Sequence, residues 1–302
     1  MGLKGGLGAR ELGGLEHNYL LAPGHTACAG CPMPVIIRHV LDVLGKDTIV
    51  VNATSCSEII SSQYPRSAFK TPYIHSLFEN TPAVATGVVR ALRAMGNDHT
   101  QVVIIAGDGA TYDIGFGAMS GAMERNEDII YICYDNEAYM NTGVQRSSAT
   151  PPLAKTTTSP VGSKIHGKVM PKKPIVEICA AHGIPYSASA SIAYLPDFKA
   201  KLEKAKAMKG FRFIDVISPC VPGWGYDPAI SIELSRLAVE TGMWELFEIE
   251  NGKRKDTFKP GQLKPVGLYL KPQKRFKHLS DAEIAGIQKG ILERTKIPLL
   301  KS

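Results

Sequence analysis

Asp108 stands between two glycines, Gly107 and Gly109, where an apolar run ends, and Asp135-Asn136 closes the next apolar run in the same way. A metal-bound diphosphate asks for this chemistry: a carboxylate and neutral oxygens around Mg²⁺, with backbone N–H groups at a helix start for the phosphate oxygens. Glycines beside the carboxylate let a diphosphate approach the backbone. Alone, Gly-Asp-Gly could be an ordinary turn; Asn136, ending the adjacent predicted strand, makes it a candidate cation site. Cysteines form a second constellation. Cys28 and Cys31 share one tight loop, Cys56 lies in a loop after a strand, and Cys220 follows a later strand beside Pro219 and Pro222. Four thiolates suit either a 4Fe-4S cluster or structural zinc, and spacing does not choose between them. Cys133 and Cys179 fall inside a predicted strand and a predicted helix and read as buried structural thiols. His25 and His75 are candidate proton donors, although a lone histidine is more often structural.

The elements that must position these residues follow from periodicity. Helical spacing over 34–44 starts at Pro34 and stops at Gly45, and 47–52 reads as a short buried strand leading into a loop over 53–58 that carries Cys56. A small-residue helix over 80–95, a strand over 101–106, a helix over 114–125 and a strand over 128–134 follow. Strand-helix-strand repeats of this kind predict an α/β fold, a parallel sheet flanked by helices on both faces, with ligands at the carboxyl ends of the strands. Residues 147–174 turn to Ser, Thr, Pro, Gly and Lys and read as a long functional loop. Helices over 175–182 and 197–209 and a strand over 211–217 complete the pattern.

The 302 residues, 44% hydrophobic, suffice for a large α/β core, and global disorder is excluded. The longest apolar runs fall far short of the roughly 20 residues that cross a bilayer. The glycine-rich, charged start over 1–14 has no secretion-signal pattern, so a cytoplasmic protein with free or metal-bound cysteines is expected. The net charge of +7 is concentrated: residues 251–302 hold 13 Lys or Arg against 4 Asp or Glu. Such a tail can be a solvated arm or can meet nucleic acid, an anionic membrane or an acidic protein. Its interleaved Leu268, Tyr269, Leu270 and Phe276 favour an arm packed on a neighbouring subunit.

The string Tyr131-Ile-Cys-Tyr-Asp-Asn-Glu-Ala-Tyr-Met-Asn-Thr-Gly143, continuing through Gln145-Arg-Ser-Ser-Ala-Thr150, resembles the β subunits of 2-oxoacid:ferredoxin oxidoreductases, of which the pyruvate enzymes are the commonest. Gly24-His25-Thr26, Tyr73-Ile-His75-Ser-Leu-Phe-Glu-Asn80 and Val266-Gly-Leu-Tyr-Leu-Lys-Pro-Gln-Lys-Arg-Phe-Lys-His278 resemble them too, so the likeness covers most of the chain. The resemblance implies a thiamine-diphosphate-binding fold with a C-terminal extension, divided into an arm over 1–16, a cofactor domain over 17–249 and a basic arm over 250–302. It implies Mg²⁺ held by Asp108, Asn136 and the Ala138 carbonyl. The cofactor would lie against Ser55, Cys56, Ser57, Gly107, Gly109, Ala110 and Asn141. Asn141 would act as a catalytic amide beside the thiazolium ring, donating to a developing oxyanion; its plain alternative is a turn residue before Gly143. The resemblance also favours a 4Fe-4S cluster on Cys28, Cys31, Cys56 and Cys220. Relatives that carry glycine and glutamate after the second cluster cysteine differ here, where Pro32 and Met33 stand.

The implied reaction is oxidative decarboxylation of a 2-oxo acid, with single electrons passing through the cluster to ferredoxin and the acyl group passing to coenzyme A. An α subunit would supply the glutamate that activates the aminopyrimidine, with γ and δ subunits, separate or fused, completing the complex, so that this chain alone is inactive. Neither nucleic acid nor membrane is an expected partner. Three other readings stay open: another 2-oxo acid (oxalate, 2-oxoglutarate, branched-chain or aryl), a non-oxidative decarboxylase, and a zinc-stabilised module whose basic tail contacts nucleic acid.

Overall fold

Hydrophobic runs that no polar residue interrupts must be covered on both faces, and the strands ending at Gly107 and Asp135 are buried almost throughout. The computed structural model describes residues 19–63 and 67–300; the expected arm over 1–16 lies outside them. Eight strands among these residues form one sheet. In spatial order they are Tyr73–Ser76 (β2), Thr48–Ala53 (β1), Gln101–Gly107 (β3), Ile129–Asp135 (β4), Phe211–Ile217 (β6), Tyr186–Ser191 (β5), Leu246–Glu250 (β7) and Lys253–Phe258 (β8). The first six are parallel, as expected, whereas β7 and β8 add an antiparallel edge.

Side chains alternate between the faces of each strand. Val50, Val103 and Ile130 pack beneath Met33–Leu44 (α1) and Leu195–Ala207 (α6). Val51, Ile104 and Tyr131 pack beneath Thr81–Ala94 (α3), Phe116–Glu124 (α4) and Ile175–Ala181 (α5). The residues expected to form a loop around Cys56 instead wind into a short helix, Cys56–Ser61 (α2), whose first residue is the cysteine. The helix expected over 114–125 is preceded by a wide helical turn, Gly109–Ile114, closed by Gly115 N–H donating to the Ala110 carbonyl at 2.9 Å. A Cβ on Gly115 would stand 2.4 Å from that same carbonyl oxygen, so the turn requires glycine. Cys133 and Cys179 are fully buried in β4 and α5, as their positions suggested.

The C-terminal extension is part of the body. Asn251 and Gly252 both have positive φ, 48° and 76°, and form the tight turn between β7 and β8 that an Asn-Gly pair favours. This hairpin spans the position where a separate basic arm was expected to begin. Beyond it, Gly267–Leu270 (α8) and Asp281–Thr295 (α9) pack with Ser231–Glu240 (α7) around a third core. Of the apolar series expected to pack on a neighbouring subunit, Tyr269, Leu270 and Phe276 are buried in this chain's own core, and only Leu268 faces outward. Among the described residues no helix is long and apolar enough to cross a membrane.

Truncating Leu270, 0% exposed, should therefore cost about 2–5 kcal/mol, because it opens a cavity in a closed core. Leu268→Ala, at a position 51% exposed, should stay within about 0.5 kcal/mol. Urea unfolding midpoints of the two variants check the contrast; equal midpoints would mean that the extension contributes no core.

Candidate active site

Strands β3 and β4 are paired so that Gly107 lies beside Tyr134, which brings the residues after each strand out at one level. Asp108, Asn136 and Ala138 are all buried there. One terminal atom of the Asn136 amide stands 2.9 Å from Asp108 Oδ1 and 2.8 Å from the Ala138 carbonyl oxygen: as nitrogen it donates to both, and as oxygen it would complete a set of three oxygens. Three oxygens without a proton between them repel unless a cation lies among them. Metal–oxygen bonds of 2.0–2.1 Å in an octahedron put neighbouring oxygens about 2.8–3.0 Å apart, which the two spacings at Asn136 match. The other Asp108 oxygen accepts from Ser147 Oγ at 2.5 Å. Burial, then the nearby Asp135 charge, pushes the Asp108 carboxyl well above its ordinary range. A cation at the triangle would supply the missing positive charge.

Asn136 and Ala138 straddle Glu137, a buried non-glycine residue with φ of 68°. This left-handed step lies between Asn136 and the Ala138 carbonyl that face the same point, and its strain is held by contacts from every side. Arg275 donates to Glu137 Oε2 at 2.6 Å and Lys172 to Oε1 at 3.1 Å. Lys172 also reaches Asp135 Oδ2 at 2.5 Å, and Asp135 Oδ1 accepts the Glu137 backbone N–H at 2.9 Å. Tyr112 Oη joins Asp135 to Asp215 at 3.0 and 2.6 Å. Thr150 Oγ1 donates to the Glu137 carbonyl at 2.6 Å, and Trp224 Nε1 to the Asn136 carbonyl at 2.8 Å. The Arg275 guanidinium lies 3.7 Å from the centre of the Trp224 ring. Burial alone would raise the Glu137 carboxyl, but the Lys172 and Arg275 charges outweigh it and hold the group below its ordinary value.

Beside the triangle opens a cleft with about 290 Å³ of empty space, lined by Ser55, Cys56, Gly107 to Ala110, Asn136, Ala138 and the segment from Tyr139 to Thr142. Asn141 is on this wall and exposed, as its expected role requires. Tyr139 covers Gly109, its hydroxyl donating to the Gly109 carbonyl at 3.0 Å, and a Cβ on Gly109 would stand 2.3 Å from the ring. Ser57 does not line the cleft: it is fully buried, its hydroxyl donating to Asn52 at 2.7 Å and its N–H to the Tyr134 hydroxyl at 3.1 Å, which anchors α2. His75 is bonded to Thr54 at 2.7 Å, and neither it nor His25 is on the cleft wall.

Cys28, Cys31, Cys56 and Cys220 are electrostatic neighbours. Burial and then the mutual repulsion of thiolates, Cys220 first, push Cys56 up to about 12. Burial also pushes Cys220 up to about 12 and Cys31 to about 11. Gly30 makes the approach possible: its φ is 74°, and a Cβ there would stand 2.5 Å from the Pro228 carbonyl oxygen beyond Cys220. Among the described residues no three His, Cys, Asp or Glu side chains are placed to hold one ion. Pro32 and Met33 account for the missing glutamate: Pro32 starts α1 and Met33, 1% exposed, packs into the core beneath it. Sequence reasoning missed Glu137, Lys172, Arg275, Ser147 and Trp224; the only local signal was the acidic pair on either side of Asn136.

Residues 53–216 match the thiamine pyrophosphate enzyme family, C-terminal TPP binding domain. The chain is 53% identical to the pyruvate synthase subunit PorB of Methanocaldococcus jannaschii, over 91% of this chain and 95% of that one. It is 56% identical to PorB of Methanothermobacter thermautotrophicus, over 92% and 96%. It is 47% identical to the ketoisovalerate oxidoreductase subunit VorB of Pyrococcus furiosus, over 92% and 91%. A 2-oxoglutarate:ferredoxin oxidoreductase structure from Magnetococcus marinus superposes with a TM-score of 0.56 at 23% identity, over 70% of this chain and 77% of that one, a likeness of fold.

Two variants probe the clamp. Arg275→Met should cost about 3–5 kcal/mol, because it leaves a buried carboxylate short of a partner, and adding Glu137→Gln should restore part of the loss. Additive losses in unfolding measurements would mean that the two groups are not coupled. Lys168 gives a pH signature. It is buried with its ammonium on the carbonyls of Ser148, Thr150 and Pro171, and burial lowers its pKa from 10.5 to about 8. Above pH 8 the unfolded chain then holds more protons at this site than the folded one, so stability contributed here rises from pH 8 towards 10.5. Melting curves of Lys168→Met should lack that rise relative to the parent; parallel curves would refute the assignment.

Proposed function

Because the chain belongs to the family of 2-oxoacid oxidoreductase subunits that holds the pyruvate synthase PorB and ketoisovalerate oxidoreductase VorB chains, and carries their thiamine pyrophosphate-binding domain, we propose that it is the cofactor-binding subunit of a cytoplasmic pyruvate:ferredoxin oxidoreductase. One observation carries the oxidative part of this reading: Cys56 belongs both to the wall of the cleft and to the group of four thiols. A non-oxidative decarboxylase has no use for a metal-binding thiol group against its cofactor.

The donor sets fit the groups assigned to them. Asp108, Asn136 and the Ala138 carbonyl would hold Mg²⁺, with the backbone N–H groups after Asp108 turned to the diphosphate. Cys28, Cys31, Cys56 and Cys220 would hold a 4Fe-4S cluster, whose size suits four neighbouring thiols that do not close on one ion better than zinc does. Thiamine diphosphate would supply the electron-accepting ring for loss of carbon dioxide, and the cluster would accept electrons one at a time. Asn141 would donate its amide N–H to the oxygen that gains charge at the reacting carbon. Tyr139 and Phe78 screen the diphosphate end of the cleft from water. Asp108, the acidic side chain on the described wall, is committed to the cation, so the proton relay to the aminopyrimidine falls to a glutamate of an α subunit. Further γ and δ subunits, separate or fused, coenzyme A and ferredoxin complete the reaction.

The native complex should oxidise pyruvate with kcat/KM at least tenfold above that for 2-oxoisovalerate and 2-oxoglutarate, and the isolated chain should be inactive. Asp108→Asn should lose bound thiamine diphosphate, and Cys56→Ser should lose visible absorption that bleaches on reduction. A colourless complex with full decarboxylase activity would overturn the oxidative reading. A preference for 2-oxoisovalerate would move the substrate to the branched-chain class.

A further inference from the structure

One side chain touches both halves of the site. Met140 lines the cofactor cleft next to Asn141, and it also packs on the third core, as Cys220 does. Its backbone is fixed by a turn in which its carbonyl accepts from the N–H groups of Gly143 and Val144 at 3.2 and 3.3 Å. Its sulfur presses on Gly223. A Cβ at Gly223 would stand 2.2 Å from Met140 Sδ, 2.9 Å from Met140 Cε and 3.2 Å from Cys220 Sγ. A side chain at position 223 would displace Met140, and the thioether and the thiol both border that one point.

Resting on the cluster assignment above, we infer that Met140 is a positioning residue for electron transfer, which keeps the Cys220 side of the cluster dry towards the cleft. The physical reasons are two. A thioether is apolar and deformable, so it fills the irregular gap between cleft and thiol without bringing a dipole. The potential of an iron-sulfur centre is set by hydrogen bonds to its sulfurs and by its exposure to solvent. A four-thiolate cluster gains negative charge on reduction, so water admitted beside Cys220 stabilises the reduced form and moves the potential upward. Met140 keeps the potential low, which matches the cluster to a low-potential acceptor such as ferredoxin.

Redox titration of the purified complex, followed by electron paramagnetic resonance, tests this without relying on turnover. Met140→Ala and Met140→Gln should each shift the cluster potential upward by at least a tenfold change in the reduced-to-oxidised ratio at fixed potential, 59 mV for one electron. Met140→Leu, which keeps the gap filled and apolar, should shift it less than threefold. If Met140→Ala does not assemble, Met140→Gln, with its similar length, carries the same test. Unchanged potentials in Ala and Gln, or a Leu shift as large as the Gln shift, would overturn the inference. A parent complex with thiamine diphosphate but no paramagnetic iron would overturn the cluster assignment itself.

Discussion

Glu137 is the residue on which the candidate site depends. A left-handed step is uncommon outside glycine, and here it falls between Asn136 and Ala138, which face Asp108. Three parts of the chain contribute to holding it: Asp135 from β4, Thr150 and Lys172 from the long loop, and Arg275 from the C-terminal extension. The long loop and the extension are thereby committed to the site although neither contributes to the cleft wall. A buried ion network of this kind is not an efficient source of stability, because desolvating each charge cancels most of the attraction. Its consequence is conformational: with every carboxylate oxygen of Glu137 engaged, the peptide planes on either side have one orientation, and the Asn136 amide and Ala138 carbonyl meet Asp108 in a single geometry.

Electrostatics give the cation side and the thiol side the same logic. Asp108, Cys31, Cys56 and Cys220 are pushed towards their neutral forms by burial and by neighbours of like charge. Groups in that state would give up protons on binding a metal, which would link occupancy to pH. Lys172, half-buried, and Arg275, buried, pair with Glu137 and balance part of the same negative field.

Legibility in the sequence followed the range of the interactions. Asp108, Asn136, Ala138 and Asn141 sit in short strings whose chemistry is local, so their placement was readable. Glu137 and Arg275 are 138 positions apart, and although each lies in a string that carries the family resemblance, nothing local to either pairs the two. Strand β5, Tyr-Ser-Ala-Ser-Ala-Ser, escaped notice because serine usually marks a loop; in the sheet Ser187 and Ser189 satisfy their hydroxyls on the Val176 and Glu245 carbonyls at 2.8 and 2.6 Å. The Asn251-Gly252 turn, by contrast, was a readable hairpin signal overshadowed by the charge of the tail. Ser57 shows the limit of a motif: it is one residue from Cys56, yet the first turn of α2 carries its side chain inward to Asn52.

Strand order explains why the thiols border the cofactor cleft. The adjacent strands β1, β3, β4 and β6 end in turn near Cys56, Asp108, Asn136 and Cys220. With strands about 4.8 Å apart, the ends of β1 and β6 are separated by roughly 14 Å. The inner two strands hold Asp108 and Asn136, so thiols delivered by the outer two can become neighbours only by arching over the edge of the sheet above them. Cys56 does so at the first turn of α2, Cys220 from the Pro and Gly-rich turn after β6, and the Cys28–Cys31 loop is seated against that turn through Gly30. Proximity between the two centres is therefore a property of the parallel sheet's connectivity, and what remains for individual side chains such as Met140 to set is the polarity of the short gap between them.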